Sequence, residues 1–343
     1  HVDRELWLKA GEMGLLSADI PEEYGGAGGD FTHMAVLFEE LAYSGDRSFG
    51  VHVHAIAAQY ILNHGSEEQK QYFLPKMASG EMIGAIAMSE PGAGSDLQGI
   101  RTSAVKEGNH YVVNGSKIFI SNGYLADVII LVTKTDPSAG AKGTTLMLLE
   151  TKKAEGFKVG RILEKLGQKG QDTCELFFDN VRIPNENVIG EVGQGFVQAM
   201  QILDGGRISI ASLSCGIARG AFEASVKYAK EREQFGQPIA HFQAIAFKLA
   251  DMATQIEAAE LLTFQAAAKK DAKMPVTKEG AFAKYFASEV SVKCGNEAVQ
   301  IMGGYGYTKE YPAEKFLRDS KLMTIGEGTS EIQKMVISRE ILK

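Results

Sequence analysis

Cysteine is scarce in this chain. Cys174, Cys215 and Cys294 are the only three in 343 residues, and they are too dispersed for a disulfide framework or a zinc pattern. A reducing compartment is the simplest setting. Long apolar runs are missing too, and no stretch approaches the length of a membrane span. No secretory or mitochondrial leader is visible. The chain opens directly into what reads as a helix, Arg4 to Lys9. Positive charge is not in excess: Lys+Arg number 36 against 43 Asp+Glu, a net charge of −7. With no basic stripe along a whole face, nucleic acid is disfavoured as a partner. Repeats and low-complexity tracts are absent.

What is present suits a protein of two or three domains. Apolar residues make up 45% and charged residues 23%, enough for a core larger than one domain usually builds. Residues 1–82 read as helical, broken by the glycine-rich loop Pro21 to Asp30. Helical spacing runs from Thr32 to Tyr43 and from Arg47 to His64. His52 and His54 point in different directions on such a helix, so one core histidine and one nearer the surface are expected rather than a metal pair. Residues 83–190 change texture to short runs separated by Gly, Pro and Asp: Ile83 to Met88, Val128 to Thr133, Thr145 to Leu149 and Cys174 to Val181. Asn114-Gly115, inside Tyr111 to Ile120, predicts a tight hairpin turn. The middle third is therefore a mostly antiparallel β domain, sandwich or barrel. Residues 191–343 return to long helices. Ile245, Leu249, Met252, Ile256, Ala259 and Thr263 recur at bundle spacing, and a further helix is expected from Lys278 to Met302. The fold class is α+β.

Four stretches carry candidate chemistry. In Ile325 to Gln333 a lone carboxylate, Glu327, stands between two glycines. Ser330 and Gln333 read as a capping box at the start of a helix, whose N–H groups suit anionic or electron-rich ligand atoms. A solvated surface turn is the plain alternative. Ala87 to Gly99 is a glycine-rich loop after a strand, able to bring backbone N–H groups close to a phosphate or ring edge. It lacks the spacing that opens a Rossmann helix, so nicotinamide binding in that style is disfavoured. Leu203 to Arg207 is expected at the head of a long helix, where Asp204 in the first turn favours the dipole. Gln300 to Tyr307, with Glu310, Lys315 and Asp319 beyond it, would pass alone for a helix C-cap.

Together these four stretches resemble the acyl-CoA dehydrogenase family, most specifically across residues 87–99 and 300–319. The likeness runs through essentially the whole chain, with helices, β domain and four-helix bundle in the family's order and its usual first helix missing. The resemblance implies FAD as cofactor. Met88 to Ser95 and the strand Phe119-Ile120-Ser121 would flank the isoalloxazine ring, with Ser89 and Ser121 as hydrogen-bond partners. Phe119 stands where many relatives have Trp, keeping the ring but losing the indole donor. Arg232, Gln243 and the turn from Gln300 through Gly303 and Gly304 match positions that bind the ADP half, partly across a subunit boundary. Thr329, Ser330 and Glu331 would meet the cofactor from the helix start. Ser95, Asp204, Arg207 and Gly328 match positions that contact the acyl-CoA.

By the same resemblance Glu327 is the catalytic base, facing the substrate α-carbon opposite the flavin. Displacement of water around it should raise its pKa and strengthen it as a base. Some relatives take their base from the position of Gly206, which offers no side chain here. The implied reaction is dehydrogenation of a saturated acyl-CoA to a trans-2-enoyl-CoA. The implied partners are an electron-transfer flavoprotein and further copies of the chain in a homotetramer, a dimer of dimers. Glu327 favours the short- and medium-chain branches, whereas Asn63 to Gln69 and Gln171-Asp172-Thr173 look more like the long-chain branch. Arg47 falls where glutaryl-CoA dehydrogenases hold a distal carboxylate, so a glutaryl-CoA or branched-chain enzyme is one alternative and a solvated Arg47 the commoner reading. A catalytically silent acyl-CoA-binding scaffold is another. A bacterial cytoplasm and a mitochondrial matrix both suit the resemblance.

Overall fold

Helical spacing in the first eighty residues produces α1 (Arg4–Glu12), α2 (Phe31–Tyr43), α3 (Val51–His64) and α4 (Glu67–Ala78) in the computed structural model, which describes residues 1–45 and 48–343. Arg47 lies outside the described residues. Seven strands follow: β1 (Gly84–Ala87), β2 (Ser103–Glu107), β3 (His110–Ser121), β4 (Val128–Lys134), β5 (Thr144–Glu150), β6 (Phe157–Ile162) and β7 (Thr173–Pro184). The chain then forms α5 (Gly195–Glu231), α6 (Gln243–Asp271), α7 (Thr277–Met302), α8 (Ala313–Ser320) and α9 (Ser330–Ile341). The fold is α+β, with helical N- and C-terminal parts and a central curled sheet.

The described residues gather into two compact units. One takes in His1–Asp30, Ser48–Glu164 and Lys169–Leu203. Its sheet runs β1-β4-β2-β3-β7-β6, with β5 also paired to β4. Both pairings of β4 with β1 and β2 are parallel, and the others are antiparallel. Every residue of β4 is buried, as expected of a strand covered on both faces. One apolar cluster joins Tyr60, Ile61, Leu74 and Met77 to Val128, Ile130 and Leu148; a second, around Ile129, Leu131, Leu176 and Ile183, fills the opposite side of the strands.

Asn114-Gly115 does not turn the chain. Both residues lie inside β3, where the register shifts between Val113 and Gly115. Glycine is required there because a Cβ at Gly115 would stand 2.7 Å from the Thr102 Cα. Asn114 instead accepts from the Asn180 N–H at 2.9 Å. The hairpin falls earlier, at Gly108-Asn109 between the paired Glu107 and His110, with Gly108 at φ +61°. A glycine first in a two-residue loop is the other tight-turn solution.

His52 and His54 are both buried, at 8% and 0% exposure, so neither is the surface histidine expected. The Gly84 N–H donates to His54 Nδ1 at 3.0 Å, which leaves Nε2 to donate to Met77 O at 3.0 Å. His54 thus ties α3 to β1 and α4, and burial lowers its pKa to about 4.

The second unit contains α2, residues Lys165–Gln168 and the chain from Asp204 to Lys343. Met252, Ile256, Ala259 and Thr263 of the α6 seam are buried as their spacing implies. Small residues let the helices of this unit approach closely, and Ala211, Ala259, Ala266, Ala283 and Ala287 share one core cluster with Ile208. Asp271 ends α6 and accepts from the Phe31 and Thr32 N–H groups at the start of α2. No helix among the described residues is long and apolar enough to cross a membrane.

Candidate active site

In the first unit β1 delivers the chain into a tight turn. Glu90 and Ala93 exchange backbone hydrogen bonds of 2.9 and 3.0 Å. Lys117, fully buried on β3, donates to Met88 O at 3.0 Å and to Glu90 Oε1 at 2.8 Å. The Glu90 carboxylate also accepts from the Arg101 and Thr102 N–H groups. Burial pushes the Glu90 carboxyl up, but Lys117 and the N–H donors outweigh it and hold it below its ordinary value. Burial lowers Lys117 to about 8 against the pull of Glu90. A buried ion pair is tolerable only when so completely bonded.

Beyond this anchor the loop is open. Ser89 is half-buried, Ser95 is exposed, and a Cβ on Gly92 or Gly94 would meet nothing within 4 Å. The Ile118 N–H donates to Ser89 O, placing the loop along β3. The next residue, Phe119, has φ +63° and lies in the register shift between Lys117 and Ile120. It is 65% exposed, whereas Ile120 is buried. Left-handed angles are rare for a bulky side chain and cluster at functional sites. Ser121 is half-buried, its hydroxyl 3.3 Å from that of Thr173. Met88, Ser89 and Phe119 to Ser121 are therefore brought together.

In the second unit the expected acid sits in a turn held from two helices. Glu327 has φ +54° and Gly328 φ +87°. Gln333 Nε2 donates to both of their carbonyl oxygens, at 3.1 and 3.0 Å. Lys284 of α7, fully buried, donates to Gly328 O at 2.6 Å. At φ +87° Gly328 adopts a conformation that other residues take only under strain, and a Cβ there would stand 2.7 Å from Gln333 Nε2, so a larger residue would also displace the clamp. Glu327 is half-buried, and its Oε2 is buried with no hydrogen-bond partner among the described residues. Burial raises its pKa, while the charges of Arg207 and Lys284 pull it down.

Ser330 is not the cap of α9. Thr329 is, accepting from the Ile332 N–H at 3.3 Å, and the Ser330 hydroxyl donates to Glu289 Oε1. Glu331 is exposed beside it. Asp204 is likewise not in a first turn, because α5 begins at Gly195. Its carboxylate instead accepts from Arg207 Nη1 at 2.5 Å and from the Thr277 hydroxyl at 2.6 Å. Arg207 is 6% exposed, and its Nε has no partner among the described residues.

A cavity of about 640 Å³ opens elsewhere in the second unit, lined by Arg232, Phe235, Gly303, Gly304 and Tyr305 among others. Gly303 (φ 59°, ψ −133°) ends α7 in a backbone conformation open to glycine alone. Gln243 and Gln300, both exposed, lie outside that lining. Lys284, Gln333 and Lys117 were not among the expected site residues. Lys284 had a legible signal: Gly280, Lys284, Ala287, Ser291, Cys294 and Ala298 keep the seam spacing of α7 and are all buried, and a lysine there is anomalous.

Known proteins of one family resemble the chain along its length. Family models described as the N-terminal, middle and C-terminal domains of acyl-CoA dehydrogenase match residues 1–81, 85–181 and 193–342. The chain is 45% identical over 337 residues to the short-chain specific acyl-CoA dehydrogenase of Clostridium acetobutylicum, covering 98% of this chain and 89% of the relative. It is 44% identical over 345 residues to the mitochondrial long-chain specific acyl-CoA dehydrogenase of Sus scrofa, covering 100% and 80%. A chain in the structure of the electron transferring flavoprotein of Acidaminococcus fermentans superposes with a TM-score of 0.97 at 44% identity, over 99% of this chain and 90% of that one. The open glycine turn and the outward-facing Phe119 fit the edge and face of a flat ring such as that of FAD. On sequence and fold alike, the chain belongs to the acyl-CoA dehydrogenase family of FAD-dependent oxidoreductases.

Proposed function

We propose that the chain dehydrogenates a saturated straight-chain acyl-CoA to the trans-2-enoyl-CoA, with Glu327 as the base that removes the α-proton. The observation carrying this is the desolvated carboxylate of Glu327, with an oxygen unpartnered among the described residues, on a backbone held at φ +54°. A base must be both ionised and poorly solvated to take a proton from a weak carbon acid. Burial supplies the second property, and the nearby cations Arg207 and Lys284 supply the first. The N–H of Glu327 is proposed to polarise the thioester carbonyl as an oxyanion hole does. Ser95, Asp204, Arg207 and Gly328 are proposed to contact the acyl-CoA, with the Asp204–Arg207 pair acting as one bonded unit.

FAD, when bound, supplies the acceptor for the β-hydride. Met88 to Ser95 with Phe119, Ile120 and Ser121 would hold its ring. Arg232, Gln243, Gln300, Gly303 and Gly304 would hold the ADP half, and Thr329, Ser330 and Glu331 would approach it from α9. An electron-transfer flavoprotein is the proposed acceptor for the electrons, supported by the Acidaminococcus structure.

Glu327→Gln should stay yellow and bind acyl-CoA while losing turnover by several orders of magnitude. Near-normal turnover would remove Glu327 from the role. Anaerobic flavin bleaching with butyryl-CoA, octanoyl-CoA, glutaryl-CoA and isobutyryl-CoA tests the substrate class. Bleaching by the first two is expected; bleaching by glutaryl-CoA or isobutyryl-CoA alone would transfer the assignment to those branches.

A further inference from the structure

Lys284 is the fully buried cation in an otherwise small and apolar seam. Burying an ammonium is costly unless it is paired and hydrogen-bonded. Among the described residues its Nζ meets no carboxylate at salt-bridge distance; it donates to the carbonyl of Gly328, the residue after Glu327. Gln333 takes the same carbonyl and that of Glu327. A non-glycine residue at positive φ persists only where its surroundings fix it, glycine adopts such angles freely, and these three hydrogen bonds end on the carbonyls of Glu327 and of the glycine after it.

We propose that Lys284 and Gln333 are positioning residues for the base: both hold the Glu327-Gly328 turn in its left-handed form, and the Lys284 ammonium, anchored on the carbonyl of the next residue, places a positive charge beside Glu327. The inference rests on the assignment of Glu327 as the base. The charged groups that bear on this site come from three helices. Arg207, bonded to Asp204, comes from α5; Lys284 and Glu289 come from α7, and Glu331 from α9. Burial lowers Lys284 to about 8, and Glu327 and Glu289 oppose that fall. Below pH 8 the ammonium is therefore charged, in the range where a buried carboxyl most needs a cation to lose its proton. Gln333 carries no charge and contributes geometry alone.

The two roles separate experimentally. In Lys284→Met the rising limb of kcat/KM against pH should move to higher pH. At a fixed pH on that limb the activity should fall roughly tenfold or more, the scale on which one neighbouring charge acts. Lys284→Arg should return the limb toward its original position. Lys284→Gln, which keeps a donor and is the milder substitution if Met disrupts folding, should shift the limb as Met does. Gln333→Leu should lower kcat and leave the limb in place. Urea unfolding of the single variants Lys284→Met and Glu327→Gln and of the double variant supplies a readout independent of turnover, and non-additive stabilities are expected. A Lys284→Gln limb superimposed on that of the wild type, or an additive cycle, overturns the proposal. Undiminished turnover in Glu327→Gln would instead sink the base assignment, while the cycle would still report whether the two side chains are coupled.

Discussion

Glu327 combines two properties that a residue selected for stability alone would avoid. It occupies φ +54° and carries a carboxylate oxygen that is buried and has no hydrogen-bond partner among the described residues. A left-handed non-glycine residue costs about 1–3 kcal/mol. The electrostatic part has a definite pH dependence. Because burial raises the folded-state pKa above 4.5, the folded chain keeps a proton that the unfolded chain releases. Stability from this group is therefore fully present below pH 4.5 and is lost as pH rises through the folded pKa. Glu327→Gln should remove that slope, so its stability advantage over the wild type should widen with pH in urea titrations. Glu327→Gly should remove the slope and the strain together. A wild-type advantage that grows with pH would show that the carboxylate is stabilised, not stressed, by its site.

At the scale of elements, one pattern has two outcomes. Ser66 and Gln69 form a reciprocal capping box on α4, whereas Ser330 and Gln333, with the same spacing, do not cap α9. The difference is tertiary: α7 offers Glu289 to Ser330, and the turn before α9 offers two carbonyls to Gln333. Local pattern can name the helix start but not the partners another helix brings. The same holds for Asn114-Gly115, a tight-turn pair overridden by the pairing of β3 with β7 and the close approach of Thr102. Helix extents were more legible, because seams such as Met252 to Thr263 depend on spacing within one element. Lys117 and Glu90 pin the glycine loop to β3 and give an element-scale prediction. Lys117→Met leaves Glu90 buried without its cation and should destabilise the fold by about 3–5 kcal/mol, with Lys117→Met/Glu90→Leu recovering much of it. Since Glu90 is held below its ordinary value, its stabilisation is present above pH 4.5 and lost as pH falls through the folded pKa. Glu90→Gln should therefore flatten the acid side of a stability profile; an unchanged acid side would contradict the pinning role.

Across the whole molecule, the order of helices, strands and helices was readable from texture, and family models match residues 1–81, 85–181 and 193–342. Sheet topology was not readable, because β4 pairs in parallel with β1 and β2 and β3 pairs with the distant β7. Such register depends on contacts that no local window contains. The site was legible as motifs carrying candidate side chains. Of the residues bonded to those loops, Lys284 was marked by its place in an otherwise small-residue seam, whereas Lys117 read as an ordinary strand position and Gln333 as part of a cap. The role proposed for Glu327 reduces to one proton transfer. Its most direct measurement is exchange of the substrate α-hydrogen with deuterated solvent, followed by NMR on an acyl-CoA analogue that cannot lose its β-hydride. The wild-type protein should wash the α-hydrogen out, and Glu327→Gln should leave it in place at any pH. Exchange by Glu327→Gln at the wild-type rate would contradict the account.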